Sequence, residues 1–84
     1  MSIRILIADD HGVLRDGLRA LLDAECDMVV VGEAADGETT LQQALALRPD
    51  VVLLDMAMPG ATGLQTLSAL REQAPEVRVL VLTV

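Results

Sequence analysis

The sequence contains no phenylalanine, tyrosine or tryptophan, and no lysine. Without aromatic rings it offers no platform on which nucleobases stack. All its basic residues are arginines, six against thirteen aspartates and glutamates, for a net charge of −7. Such a chain repels polyanions, so direct contact with DNA, RNA or an anionic membrane surface is not expected. The single cysteine, Cys26, cannot close an internal disulfide. It reads as a small, partly buried thiol. A nucleophilic role would need a base beside it, and His11 is the only histidine. No continuous apolar run approaches the roughly 20 residues that cross a bilayer. The start, Met1-Ser2-Ile3-Arg4-Ile5, lacks the apolar stretch and small-residue cleavage site of a secretory leader, so a cytoplasmic protein is expected. Nucleotide-binding loops are missing too. Gly32 and Gly37 do not fall in a G-x-G-x-x-G pattern, and a P-loop requires a lysine.

What is present is a short, apolar, patterned chain. Its 84 residues, 52% hydrophobic and 23% charged, fit a single globular domain. Four runs rich in Val, Ile and Leu cover residues 5–8, 28–31, 51–54 and 77–82. Short runs of this kind mark strands buried on both faces, as in parallel sheets. Three helical patterns lie between them. Leu14, Leu18, Leu21 and Leu22 line one face of the first, Leu41, Ala44 and Leu45 one face of the second, and Leu64, Leu67, Leu70 and Ala74 one face of the third. Gly17 inside the first helix costs about 1 kcal/mol relative to alanine, and close packing against a neighbour would account for it. Thr62 and Gln65 form a capping box, and Pro49 and Pro75 mark helix exits. The strand–helix alternation predicts an α/β fold, a parallel sheet covered on both faces by right-handed crossovers.

Polar chemistry collects where strands end. Asp9 and Asp10 follow the first run, Asp55 the third, and Thr83 the fourth. Open parallel sheets bind ligands outside the carboxyl ends of their strands, at the point where the winding reverses. If strands one and three are neighbours, three carboxylates meet there. At about 5 Å and an effective dielectric near 20, each pair repels by roughly 3 kcal/mol. Either one carboxylate stays protonated or a divalent cation binds, and hard oxygen donors with an incomplete shell suit Mg²⁺. A metal-backed aspartate is in turn a plausible nucleophile toward a phosphoryl group. Taken singly, each aspartate reads more readily as a turn or helix-capping residue. The combination at successive strand ends is what points to a site.

These residues together resemble the receiver domains of bacterial two-component response regulators. Ile5-Leu6-Ile7-Ala8-Asp9-Asp10-His11 is similar to the first strand and acidic pair of that family. Val52-Leu53-Leu54-Asp55-Met56-Ala57-Met58-Pro59-Gly60, followed by Gly63, is similar to its phosphoacceptor segment, and Leu80-Val81-Leu82-Thr83 to its fourth strand. The Asp-Asp-His start with Arg15, Gly17, Leu18, Arg19, Leu21 and Leu22 resembles the subfamily that carries a LuxR-type helix-turn-helix output domain. The resemblance covers all 84 residues.

It implies a flavodoxin-like, doubly wound sheet with strand order 2-1-3-4. It also implies that residues 1–84 are a receiver domain cut after its fourth strand, lacking the last strand and two helices. Asp55 would accept the phosphoryl group. Asp9, Asp10, Asp55 and the backbone carbonyl of Ala57 would hold Mg²⁺, and Thr83 would contact the phosphoryl group. Pro59 and Gly60 would shape the adjoining loop, and His11 would be an exposed residue at the start of a helix. The donor would be a sensor histidine kinase or a small acyl phosphate. The module would signal rather than act as a metabolic enzyme, with transcription regulated by the full-length protein. A dehalogenase-type phosphatase would need an aspartate two residues after its nucleophile, where this chain has Ala57. With the sheet cut there, strand four becomes an apolar edge that invites pairing with a second copy. The alternative is therefore a self-associating structural fragment with an acidic cation-binding pocket and no productive phosphotransfer.

Overall fold

The computed structural model describes residues 2–58, 60 and 62–82. In chain order they form β1 (Ile3–Ala8), α1 (Gly12–Asp23), β2 (Met28–Ala34), α2 (Gly37–Leu47), β3 (Val51–Asp55), α3 (Gly63–Gln73) and β4 (Arg78–Leu82). The four strands make one sheet in the order β2-β1-β3-β4, parallel at every pairing. This is the expected flavodoxin-like arrangement. Each of the four apolar runs becomes a strand. β2 continues beyond its run through Ala34, because Gly32 and Glu33 pair with Leu6 and Ile7 after a register shift between Ile5 and Leu6.

Alternation along the strands divides the core into two layers. Leu6, Ala8, Val52 and Leu54 pack with Ala44 of α2 and Leu70 of α3. Ile5, Ile7, Val30 and Leu53 turn to the other face, against Leu18 and Leu22 of α1. Full burial stabilises each such Leu, Ile or Val by about 1.5–3 kcal/mol, so the central strands β1 and β3 anchor the domain.

The layers are covered unequally. Helices α2 and α3 each bury several residues, whereas α1 buries none. Of its apolar stripe only Leu18 and Leu22 are half-buried, and Leu21 is 70% exposed with Val13 beside the stripe at 90%. One helix alone cannot cover this face. Strand β4 is an edge among the described residues, with Leu80 and Val81 exposed.

Two further expectations are corrected. Cys26 is exposed, because it lies in the turn between α1 and β2 rather than on an apolar face. Gly17 is not a packing glycine: a Cβ there would meet nothing within 4 Å. Close approach occurs instead at Gly63, where a Cβ would stand 2.7 Å from Met56 Cα.

Helix ends follow local chemistry. Asp36 caps α2 by accepting from the Thr39 N–H at 2.7 Å, a signal the sequence reading did not use. The expected capping box of α3 is formed. Thr62 Oγ1 accepts from Gln65 N at 3.1 Å, and Gln65 Oε1 accepts from Thr62 N at 2.9 Å.

Candidate acidic pocket

The ladder builds the pocket. Ala8 pairs with Ala34 on one side and Leu54 on the other. One residue further on, Asp9 and Asp55 stand at the ends of adjacent strands. Asp9 keeps the ladder going by donating its N–H to the Ala34 carbonyl at 2.9 Å. Both aspartates are buried, Asp9 at 1% exposure and Asp55 at 6%.

Each closes its strand with the same local turn. Asp9 Oδ1 accepts from the N–H of His11 at 2.7 Å, and Asp55 Oδ1 accepts from the N–H of Ala57 at 2.9 Å. An aspartate bonding the backbone two residues on reproduces a backbone turn. The turn-residue reading thus describes one oxygen of each carboxylate and leaves the second oxygen free for other work. Helix capping is not that work, since the N-cap of α1 is His11 and makes no side-chain cap.

Asp10 is exposed and comes to the same place from the mouth of the pocket. His11 ties the group together. Its Nδ1 lies 2.9 Å from Asp9 Oδ1, 3.1 Å from Asp10 Oδ1 and 3.7 Å from Asp55 Oδ2. The hydrogen bond to Asp9, followed by the charge of Asp10, raises the imidazole pKa above its ordinary value. His11 is exposed, as expected of a helix-start residue, but its ring faces the carboxylates, and that part was missed. The only available signal was its adjacency to the Asp-Asp pair.

Asp9, Asp10, His11 and Asp55 each offer a ligand atom, all within 4.8 Å of one another. The donor chemistry fits a divalent cation. Asp9 Oδ2 is buried with no hydrogen-bond partner among the described residues, and a buried unpartnered carboxylate oxygen is costly without a compensating charge. A cation would satisfy it and relieve the repulsion among the three carboxylates.

Arg15 was also not singled out for this site. Its Nη1 donates to the Asp9 carbonyl at 2.8 Å, and its Nε donates to Glu33 Oε1 at 3.1 Å. It fastens the first turn of α1 to the exit of β1 and to β2. Beside the pocket an open trough of about 870 Å³ runs between α1 and the sheet, lined by His11, Leu14, Leu18, Met56 and Leu82 among others. Ala57 is exposed at its rim. Thr83 and Pro59 lie outside the described residues.

No described helix is long and apolar enough to cross a membrane. A family model for the response regulator receiver domain matches residues 5–84. The chain is 46% identical over 80 residues to the nitrate/nitrite response regulator protein NarL of Escherichia coli K12, covering 95% of this chain and 37% of that protein. It is 46% identical over 82 residues to the oxygen regulatory protein NreC of Staphylococcus epidermidis, covering 96% and 38%. It spans less than two fifths of the length of these curated relatives. Among solved structures, the response regulator domain of Thermotoga maritima CheB superposes with a TM-score of 0.92 at 36% identity, covering 96% of this chain and 60% of that one. The signal receiver domain of NarL from Mycobacterium tuberculosis gives a TM-score of 0.90 at 40% identity, covering 95% and 64%.

Proposed function

The chain belongs to the response regulator receiver domain family, and from that premise we propose that it accepts a phosphoryl group on Asp55. The observation that carries this reading is the arrangement of the Asp55 carboxylate. It is buried at the end of β3, with Oδ1 held by the Ala57 N–H and Oδ2 turned toward His11 in the acidic cluster. A fixed carboxylate with one oxygen free is oriented for in-line attack.

The free oxygen attacks phosphorus and forms an acyl phosphate, while the bond to the leaving group breaks. From a kinase phosphohistidine the leaving group is the imidazole, which takes up a proton. From acetyl phosphate it is acetate. Asp9, Asp10, Asp55 and the Ala57 carbonyl would hold Mg²⁺, which when bound would supply charge neutralisation on the transferring group. Asp9 supports that role with its buried Oδ2, unpartnered among the described residues, and Thr83 would contact the phosphoryl oxygens. The module signals and is not a metabolic enzyme. It works in the cytoplasm with a sensor histidine kinase. In a longer protein of the NarL and NreC kind it regulates transcription.

Acetyl phosphate and Mg²⁺ test this directly. Mass spectrometry is expected to find one hydroxylamine-labile phosphoryl group on Asp55, none without Mg²⁺, and none in Asp55→Asn. An unmodified wild-type chain that still binds Mg²⁺ would remove phosphotransfer from the reading of this chain.

A second reading is favoured by the uncovered apolar surface. Leu80 on the β4 edge is 58% exposed, beside the open face of α1. Two copies pairing through β4 would satisfy the free backbone groups of that edge and cover its side chains. In that case the chain self-associates and carries a cation-binding pocket. Light scattering during size-exclusion chromatography distinguishes the two, since the first reading does not need a dimer.

A further inference from the structure

Three carboxylates make a pocket for hard cations, and the imidazole of His11 changes that donor set. His11 occupies the N-cap position of α1 in an extended conformation, yet makes no capping bond. Its ring is instead turned onto the carboxylates, with Nδ1 at 2.9, 3.1 and 3.7 Å from oxygens of Asp9, Asp10 and Asp55. These separations have a second meaning besides hydrogen bonding. Metal–ligand bonds of about 2.1 Å put adjacent donors roughly 3.0 Å apart in an octahedron and roughly 3.4 Å apart in a tetrahedron. The nitrogen thus stands from the Asp9 and Asp10 oxygens at about the spacing of neighbouring ligands around one ion, with the Asp55 oxygen somewhat beyond it. Asp9 adds an independent sign that an ion belongs here: it is 1% exposed, and its Oδ2 has no partner among the described residues. The imidazole, 63% exposed at the pocket mouth, can reorient to meet an entering ion without disturbing the core.

Ligand softness decides which ion gains. Carboxylates and water suit Mg²⁺, whereas imidazole suits Ni²⁺, Cu²⁺ and Zn²⁺. We propose that His11 Nδ1 is a fourth protein ligand, and that with Asp9, Asp10 and Asp55 it forms a site selective for borderline first-row divalent cations over Mg²⁺. The ring would ligate through Nδ1 with its proton on Nε2. The site shares its carboxylates with the phosphoacceptor reading but does not require that phosphotransfer occur.

The test uses the untagged 84-residue chain carrying Cys26→Ser, so that the exposed thiol cannot bind metal. Calorimetric titration with Ni²⁺ and with Mg²⁺ is compared with and without His11→Asn, and circular dichroism checks that the variant folds. Loss of the imidazole is expected to weaken Ni²⁺ by at least about tenfold, while Mg²⁺ changes by less than about threefold. The visible spectrum of the Co²⁺ form is expected to shift in the variant. Asp9→Asn is expected to weaken both ions. Equal Ni²⁺ affinity with and without the imidazole, equal losses for both ions, or no Ni²⁺ binding would each overturn the proposal. Failure of acetyl phosphate to modify Asp55, with Ni²⁺ selectivity intact, would count against the phosphoacceptor reading alone.

Discussion

Asp9 and Asp55 close neighbouring parallel strands in the same way. Each carboxylate accepts the backbone N–H two residues on, from His11 at 2.7 Å and from Ala57 at 2.9 Å. The two turns are equivalent because the strands are in register up to Ala8 and Leu54. Each turn uses one oxygen to fix the chain and leaves the other to the pocket. A local structural role and a binding role therefore coexist in the same residue.

Crowding of the carboxylates makes stability depend on cations. Two like charges about 5 Å apart cost roughly 3 kcal/mol at an effective dielectric near 20. In the absence of divalent ions, Asp55→Asn is expected to melt higher than the unsubstituted chain. Adding Mg²⁺ should then raise the melting temperature of the unsubstituted chain more than that of the variant, by mass action on the native state. Thermal melts with EDTA and with Mg²⁺ decide this. A lower melting temperature for Asp55→Asn in EDTA would mean that repulsion is not what limits the pocket.

Two glycines should respond to alanine with opposite sign. At Gly63 the new Cβ would stand 2.7 Å from Met56 Cα and from Met56 Sδ. The backbone must shift, and a loss of about 1–3 kcal/mol is expected. At Gly17 the space is open, so alanine only restores helix propensity and gains about 0.4–1 kcal/mol. Urea denaturation of both variants measures each value on one scale.

Acid should loosen α2 through its cap. The Thr39 N–H bonded to the Asp36 carboxylate lowers its pKa below the ordinary 3.8. A carboxyl whose pKa is depressed on folding contributes stability above the unfolded value and loses it as pH falls through the folded one. The cap contribution should therefore be intact near neutrality and decline below pH 3.8. Asp36→Asn keeps an acceptor oxygen but has no charge to titrate. Its unfolding free energy should fall less steeply over that acid range in pH-dependent denaturation.

Association through β4 should be charge-limited. Every copy carries −7, so bringing two together is opposed at low ionic strength and eased as salt screens them. Light scattering is expected to give a mass that rises with salt. Leu80→Glu, at an exposed edge position, should hold the chain monomeric at every salt concentration. A mass indifferent to both would exclude the edge as an interface.

Much of the fold was legible because its signals are local. Four short apolar runs, three helical periods and the Thr62–Gln65 capping box each follow from residues within one or two turns of each other, and all of them formed. Asp9, Asp10 and Asp55 were legible as carboxylates at strand ends, and they meet because β1 and β3 pair side by side. Asp36 carries an equally local cap, its carboxylate accepting from the Thr39 N–H three residues on.

The sequence by itself thus determined the element order and placed the carboxylates at the ends of strands. Period-two and 3.6-residue patterns, with the handedness of crossovers, permit few alternatives. Only the tertiary structure decided which side chains share the pocket and which apolar residues remain in water. His11 reaches three carboxylates because α1 starts one residue after it, directly above the ends of β1 and β3. Leu21 carries the same helical period as Leu18 and Leu22 yet stays exposed, because periodicity marks a face as apolar without supplying the surface that covers it.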